Sequence, residues 1–188
     1  PNVIVEWQYN GNPCECNFRC EYCSYDPKKQ SGHHFKGPIE KWRNIFKEAF
    51  GDQHLAIYLA HGEPMVGDHF MEVVEMVGNE PNWELRMTSN ISRPLDELMN
   101  SRIAREGRLN INASFHPTMM KRERFMERIL TLRQHGIEVP VVYVMWPPFF
   151  ERFEDDIRFF FLQYHLGHLR GRSGLLEGKS YPSALYDK

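Results

Sequence analysis

What most restricts the fold of this 188-residue chain is a repeated change of hydrophobic period: five short β-branched or aromatic runs, each followed by apolar residues at helical spacing. Val3 to Trp7 is the first run. Pro38 to Phe50 then carries Ile39, Trp42, Ile45, Phe46 and Ala49 on one stripe, with Pro38 suited to a helix start and Gly51 to its stop. Leu55 to Ala60 is almost continuously apolar, as in a strand buried on both faces of a parallel sheet, and Asp68 to Val77 follows as a helix. Trp83 to Met87 leads into Thr88-Ser89-Asn90 and a helix expected over Ser92 to Arg105, with Ser92 as N-cap and Pro94 in its first turn. Leu109 to Phe115 precedes a long helix from Thr118 to His135, and Val139 to Trp146 precedes a phenylalanine-rich helix from Phe150 to Tyr164. A sixth unit would begin near Leu166 to Arg170. Strands each followed by a helix require parallel pairing through right-handed crossovers, so the class is α/β: a doubly wound sheet, or a complete or partial barrel. Period alone does not choose. In both architectures ligands sit beyond the carboxyl ends of the strands, so chemistry is expected just after each one.

The loop after the first strand holds every cysteine in the chain, in the run CECNFRCEYC from Cys14 to Cys23. Disulfides within so short a run would close almost no loop, so metal binding is the better reading. Two forms of it stay open. Zinc would use Cys14, Cys16, Cys20 and Cys23 as four closed tetrahedral donors. An iron-sulfur cluster would take Cys16, Cys20 and Cys23 on three irons, leave the fourth iron open to a ligand, and spare Cys14.

CNFRCEYC resembles the C-x3-C-x-aromatic-C signature of the radical S-adenosylmethionine (SAM) enzymes, with Tyr22 in the aromatic position. The resemblance implies a [4Fe-4S] cluster on Cys16, Cys20 and Cys23, with SAM chelating the open iron, on a partial (β/α)6 barrel of parallel strands. It also gives meaning to the strand ends. His61-Gly62-Glu63-Pro64 is similar to the Gly-Gly-Glu-Pro turn that binds the methionine amino group, so Gly62, Glu63 and Pro64 become cofactor-binding candidates, and His61 departs from the pattern. A carboxylate suits an ammonium partner through charge-assisted hydrogen bonds. Ser89 and Asn90 resemble residues facing the cofactor carboxylate or ribose, and Ser114 one that contacts ribose hydroxyls or the methionine carboxylate. Val144 or Met145 would touch adenine, and Tyr22 would pack on that base. His116 is the catalytic candidate, a proton-transfer group facing substrate. Taken alone, the His61 to Pro64 turn and Thr88-Ser89-Asn90 read equally as ordinary loops, a lone histidine before a proline such as His116 is more often structural, the aromatic at the end of the fifth strand could equally be core, and His33-His34 reads as exposed.

By the same resemblance, SAM is cleaved reductively to a 5'-deoxyadenosyl radical that abstracts hydrogen from a peptide or small metabolite, with electrons from a flavodoxin or ferredoxin. The alternatives in other classes are a non-catalytic zinc-binding interaction domain and an iron-sulfur electron carrier. With 41% hydrophobic residues the chain supports one domain with a core, expected over residues 1–170. A glycine-rich tail, 171–188, resembles the Arg-Gly, Gly-Lys, Tyr-Pro stretch that follows the barrel in some relatives; no cysteine follows, so the chain either ends where others add an auxiliary cluster or is truncated. A formal charge of -2 gives no electrostatic reason to expect nucleic acid or an acidic membrane. No apolar run is long enough for a membrane span. No secretory leader precedes the cysteines, although Pro1 suggests a processed or trimmed start, and clustered reduced thiols fit the cytoplasm.

Overall fold

The computed structural model describes residues 2–9, 15–23 and 37–160, and beyond them the backbone of short strands at 169–173, 175–176 and 179–180. Strands β1 (Val3–Glu6), β2 (Leu55–Leu59), β3 (Trp83–Ser89), β4 (Leu109–Phe115), β5 (Val141–Met145) and β6 (Leu169–Ser173) form one sheet in the order β1-β2-β3-β4-β5-β6, every neighbouring pair parallel. This order decides what periodicity left open. A doubly wound sheet reverses its strand order to place helices on both faces, whereas sequential right-handed crossovers stack the helices on one side and curl the sheet toward a barrel. Among the described residues β1 and β6 remain edges, so the barrel is partial. A small antiparallel pair, β7 (Leu175–Leu176) and β8 (Lys179–Ser180), lies in the tail.

Helices α1 (Ile39–Phe50), α2 (Phe70–Gly78), α3 (Asp96–Met99), α4 (Arg102–Arg105), α5 (Arg122–Gln134) and α6 (Phe150–Arg158) alternate with the strands and pack on one face of the sheet. Alternate strand residues supply that interface: Leu55, Ile57, Leu85, Met87, Ile111 and Phe115 are buried in one cluster with Val73, Val77, Phe125, Ile129 and Phe160. Each such side chain contributes about 1.5–3 kcal/mol through burial. The intervening strand residues, on the other face, include polar pairs. Tyr58 and Thr88 share a 2.7 Å hydroxyl contact, and Arg86 Nε donates to Glu84 Oε1 at 2.6 Å.

Several boundaries differ from expectation. The helix expected over Ser92 to Arg105 is two single turns, and Ser92 does not cap it. The Ser92 amide donates instead to Asn90 Oδ1 at 3.0 Å, and Ser101, extended at ψ 155, starts α4 by accepting from the Ala104 amide. Short polar side chains thus offer the backbone partners that compete with a continuous helix. Helix α5 begins at Arg122 rather than Thr118, because the amides of Met119 and Met120 both donate to His116 O in a preceding turn. Residues 161–164 of the phenylalanine-rich helix, Cys14 and His33-His34 lie outside the described residues. No helix among the described residues is long and apolar enough to cross a membrane.

Candidate active site

The cysteine loop lies across the carboxyl ends of four strands and is fastened to each. After β2, the Glu63 amide donates to Glu15 O at 2.8 Å. After β3, Asn90 Nδ2 donates to Asn17 Oδ1 at 3.1 Å and Asn17 Nδ2 to Ser92 Oγ at 2.8 Å. After β4, His116 Nδ1 is 3.4 Å from Cys20 Sγ and 3.1 Å from Tyr22 OH. After β5, Trp146 packs on Tyr22 with ring centroids 5.2 Å apart. Tyr22, Val144 and Trp146 form a small apolar cluster separate from the main core, with Cys20 and Phe149 against it.

The thiols of Cys16, Cys20 and Cys23 are near enough to feel one another's charge. Burial pushes Cys16 up and Cys20 up to about 11, with the neighbouring thiols adding to both. Crowded, desolvated thiols hold their protons until a cation compensates them. Phe18 N–H already points at Cys16 Sγ, 3.4 Å away. Among the described residues no three His, Cys, Asp or Glu side chains converge on a single ion. The crowded thiols of Cys16, Cys20 and Cys23 on one loop are a donor set that three corners of an iron-sulfur cube can take.

The turn after β2 is conformationally unusual. His61 has φ 71 and Gly62 φ 60, two successive residues in the left-handed region. For the histidine this costs on the order of 1 kcal/mol. A histidine thus stands where the resembling turn has glycine, yet the backbone adopts a conformation that glycine would favour. Its Nε2 is 2.5 Å from Glu6 Oε1 at the end of β1. Glu63 follows, with none of its surface exposed. Its Oε1 accepts from Ser89 Oγ at 2.7 Å and from the Met65 amide at 3.1 Å, and its Oε2 accepts from the Asn90 amide at 2.6 Å. Burial raises its pKa, while these three donors and the charge of Arg93 pull it back. Pro64 opens a short 3-10 turn, Pro64–Val66, and its carbonyl accepts from Tyr9 OH. Gly67 makes room for that tyrosine: a Cβ there would lie 2.6 Å from Tyr9 OH.

Ser89 and Asn90, expected to face a cofactor, use their polar atoms within the protein. Ser89 Oγ donates to Glu63 and accepts from the Ile91 amide at 2.9 Å. Asn90 holds Glu63, Asn17 and Ser92 at once. Ser114 is buried at the end of β4, and its hydroxyl has no hydrogen bond to another described residue. His116 has Nδ1 turned to the cysteine loop. Asn17 and Thr118, whose Oγ1 donates to Tyr22 OH at 3.4 Å, escaped the sequence reading. The only hint for Asn17 was its place inside the C-x3-C spacing.

The description "Radical SAM superfamily" belongs to the family profile that matches residues 14–160. No curated protein matches the chain. Among solved structures, anSMEcpe with bound AdoMet superposes with a TM-score of 0.70 at 11% identity, over 91% of this chain and 49% of that one. Native anSMEcpe with bound AdoMet and Kp18Cys peptide gives 0.67 at 15% identity, covering 91% and 51%. Streptococcus suis SuiB bound to precursor peptide SuiA gives 0.64 at 12% identity, covering 92% and 39%. The chain therefore spans about half or less of the length of these structures, and at such identities the likeness speaks for the fold.

Proposed function

This chain belongs to the radical SAM superfamily, and we propose that it is an enzyme that holds a [4Fe-4S] cluster on Cys16, Cys20 and Cys23 and binds SAM beside it. When bound, the pair supplies reductive cleavage of SAM to a 5'-deoxyadenosyl radical that takes hydrogen from substrate. The chain's own residues position these groups. The observation that carries the reading is the joining of the cysteine loop to the strained turn after β2, through the 2.8 Å bond from the Glu63 amide to Glu15 O. Cluster ligands and a carboxylate-bearing turn are thereby held in one rigid unit.

Within it, Glu63, fully buried and carrying three donors on its carboxylate, keeps in shape the turn that faces the methionine ammonium. Gly62 allows close backbone approach and Pro64 stiffens the exit. Ser89 and Asn90 act by holding Glu63 and the loop. Ser114 offers a hydroxyl to ribose or to the methionine carboxylate. Val144 and Tyr22 supply apolar contacts for adenine, packed in one cluster with Trp146. His116 sits against Cys20, which favours a role toward that sulfur over proton transfer to substrate. Of the two substrate classes, peptide and small metabolite, we favour a peptide, a reading supported by anSMEcpe and SuiB, whose structures of the same fold carry the Kp18Cys and SuiA peptides. A flavodoxin or ferredoxin in the cytoplasm delivers the electron.

Anaerobic reconstitution tests this. The expected result is a brown protein with about four irons per chain, a spectral change on adding SAM, and 5'-deoxyadenosine upon reduction. Cys16→Ala should abolish that product and Cys14→Ala should not. Colourless protein with one zinc, or a cluster that ignores SAM, refutes the proposal in favour of a zinc domain or an electron carrier.

A further inference from the structure

We propose that His116 is a positioning residue for the cluster: its Nδ1–H donates to Cys20 Sγ and raises the cluster's reduction potential. The inference rests on the reading above that Cys20 ligates iron.

The ring is held from several sides. Its backbone follows Phe115, the last residue of β4, which is buried against Phe125, Tyr143 and Phe160. His116 O is bound by the Met119 and Met120 amides at 2.9 and 3.1 Å. The imidazole lies parallel to the Tyr22 ring, 5.9 Å away with planes 4° apart, and meets Phe18 edge-on at 5.7 Å. A ring so confined has little rotamer freedom, and the nitrogen it turns to the loop is Nδ1, 3.4 Å from Cys20 Sγ.

The chemistry of the neighbours selects the tautomer. Tyr22 OH accepts from Thr118 Oγ1, so its own proton is available to Nδ1 or to Cys20 Sγ. A thiolate bound to iron is an acceptor only. With an anionic sulfur at that place, the favourable arrangement aims Nδ1–H and the tyrosine O–H at it, because hydrogen bonds to charged acceptors are the strong ones. Cys16 has a comparable donor in the Phe18 amide. Donors to cluster sulfurs are among the factors that set potential. One-electron reduction adds negative charge to the cluster, so a donor stabilises the reduced form more than the oxidised form. Removing it must lower the potential.

The test uses the anaerobically reconstituted full chain, with midpoint potential read from the electron paramagnetic resonance signal of the reduced cluster as dithionite is titrated in with mediators. His116→Phe keeps a ring against Tyr22 and removes the donor; reduction should become about tenfold less favourable, about 59 mV lower for a one-electron couple. His116→Asn restores an amide N–H at the place of Nδ1 and should stay near the wild-type potential. His116→Phe at the wild-type potential, or His116→Asn as low as His116→Phe, overturns the inference. Should His116→Phe take up no iron, His116→Asn is compared with His116→Gln, whose longer side chain misplaces the amide: a low value for Gln alone supports the inference, and equal values overturn it. A wild-type chain that assembles no four-iron cluster fails earlier, and that failure belongs to the proposed function.

Discussion

Ser89→Ala is the substitution by which the buried Glu63 network is best tested. It deletes the donor 2.7 Å from Glu63 Oε1 and the acceptor 2.9 Å from the Ile91 amide, and both Glu63 and Ile91 are fully buried. A hydrogen bond to a charged group contributes about 1.5–3 kcal/mol and an orphaned buried amide costs about 1–3, so a loss of about 3 kcal/mol is expected. For a domain of this size that is a fall in Tm of about 6–12 °C, at about 2–4 °C per kcal/mol. Thermal and urea unfolding of wild type, Ser89→Ala, Glu63→Gln and the double variant close a cycle in which the two substitutions must be non-additive. The pH dependence has a definite sign. Because burial raises the Glu63 pKa, the folded chain holds its proton to higher pH than the unfolded chain. Above the ordinary glutamate value, up to the raised folded value, the native state binds more protons, so stability falls as pH rises. Glu63→Gln should flatten that slope, and Ser89→Ala, which removes a donor that lowers the pKa, should extend it to higher pH. A Ser89→Ala loss below about 1 kcal/mol, or a slope unchanged in Glu63→Gln, refutes this account of the network.

Gly67→Ala forces Tyr9 away from the Pro64 carbonyl, because the added Cβ would sit 2.6 Å from Tyr9 OH; a loss of about 1–3 kcal/mol in urea unfolding is expected. Tyr143→Phe removes the 2.8 Å donor to Asp156, which is fully buried and keeps Arg122 Nη1 at 3.1 Å. Its expected cost is about 1.5–3 kcal/mol, read from the urea midpoint. Asn17→Ala breaks both bonds from the C-x3-C segment to the turn after β3. Weakening that attachment by about 1 kcal/mol should speed iron loss to a chelator about fivefold in the reconstituted protein, and an unchanged rate would show that the other attachments suffice.

The strand-helix alternation was legible because burial on one face repeats: Leu85 and Met87, or Ile111, Ala113 and Phe115, recur at the two-residue spacing that a sheet under helices imposes. The break near Asn100 and Ser101 was not, since helical period persists there while side-chain bonds to Leu98 O and Asp96 O compete for the backbone. At the site, the cysteine spacing and His61-Gly62-Glu63-Pro64 stood out as local strings. What Ser89 and Asn90 hold did not, because their partners are 26 and 27 residues away and periodicity carries no long-range pairing. The left-handed backbone at His61 was equally hidden, a histidine giving no local sign of it.

The suspension of the cysteine segment from four separate loops has a consequence for genetics as much as for chemistry. Lesions that cost the chain its proposed cluster need not touch a sulfur: they should surface at Glu63, at Asn90, at His116 and at Trp146, scattered along more than eighty residues of sequence yet ringed around one short span of backbone.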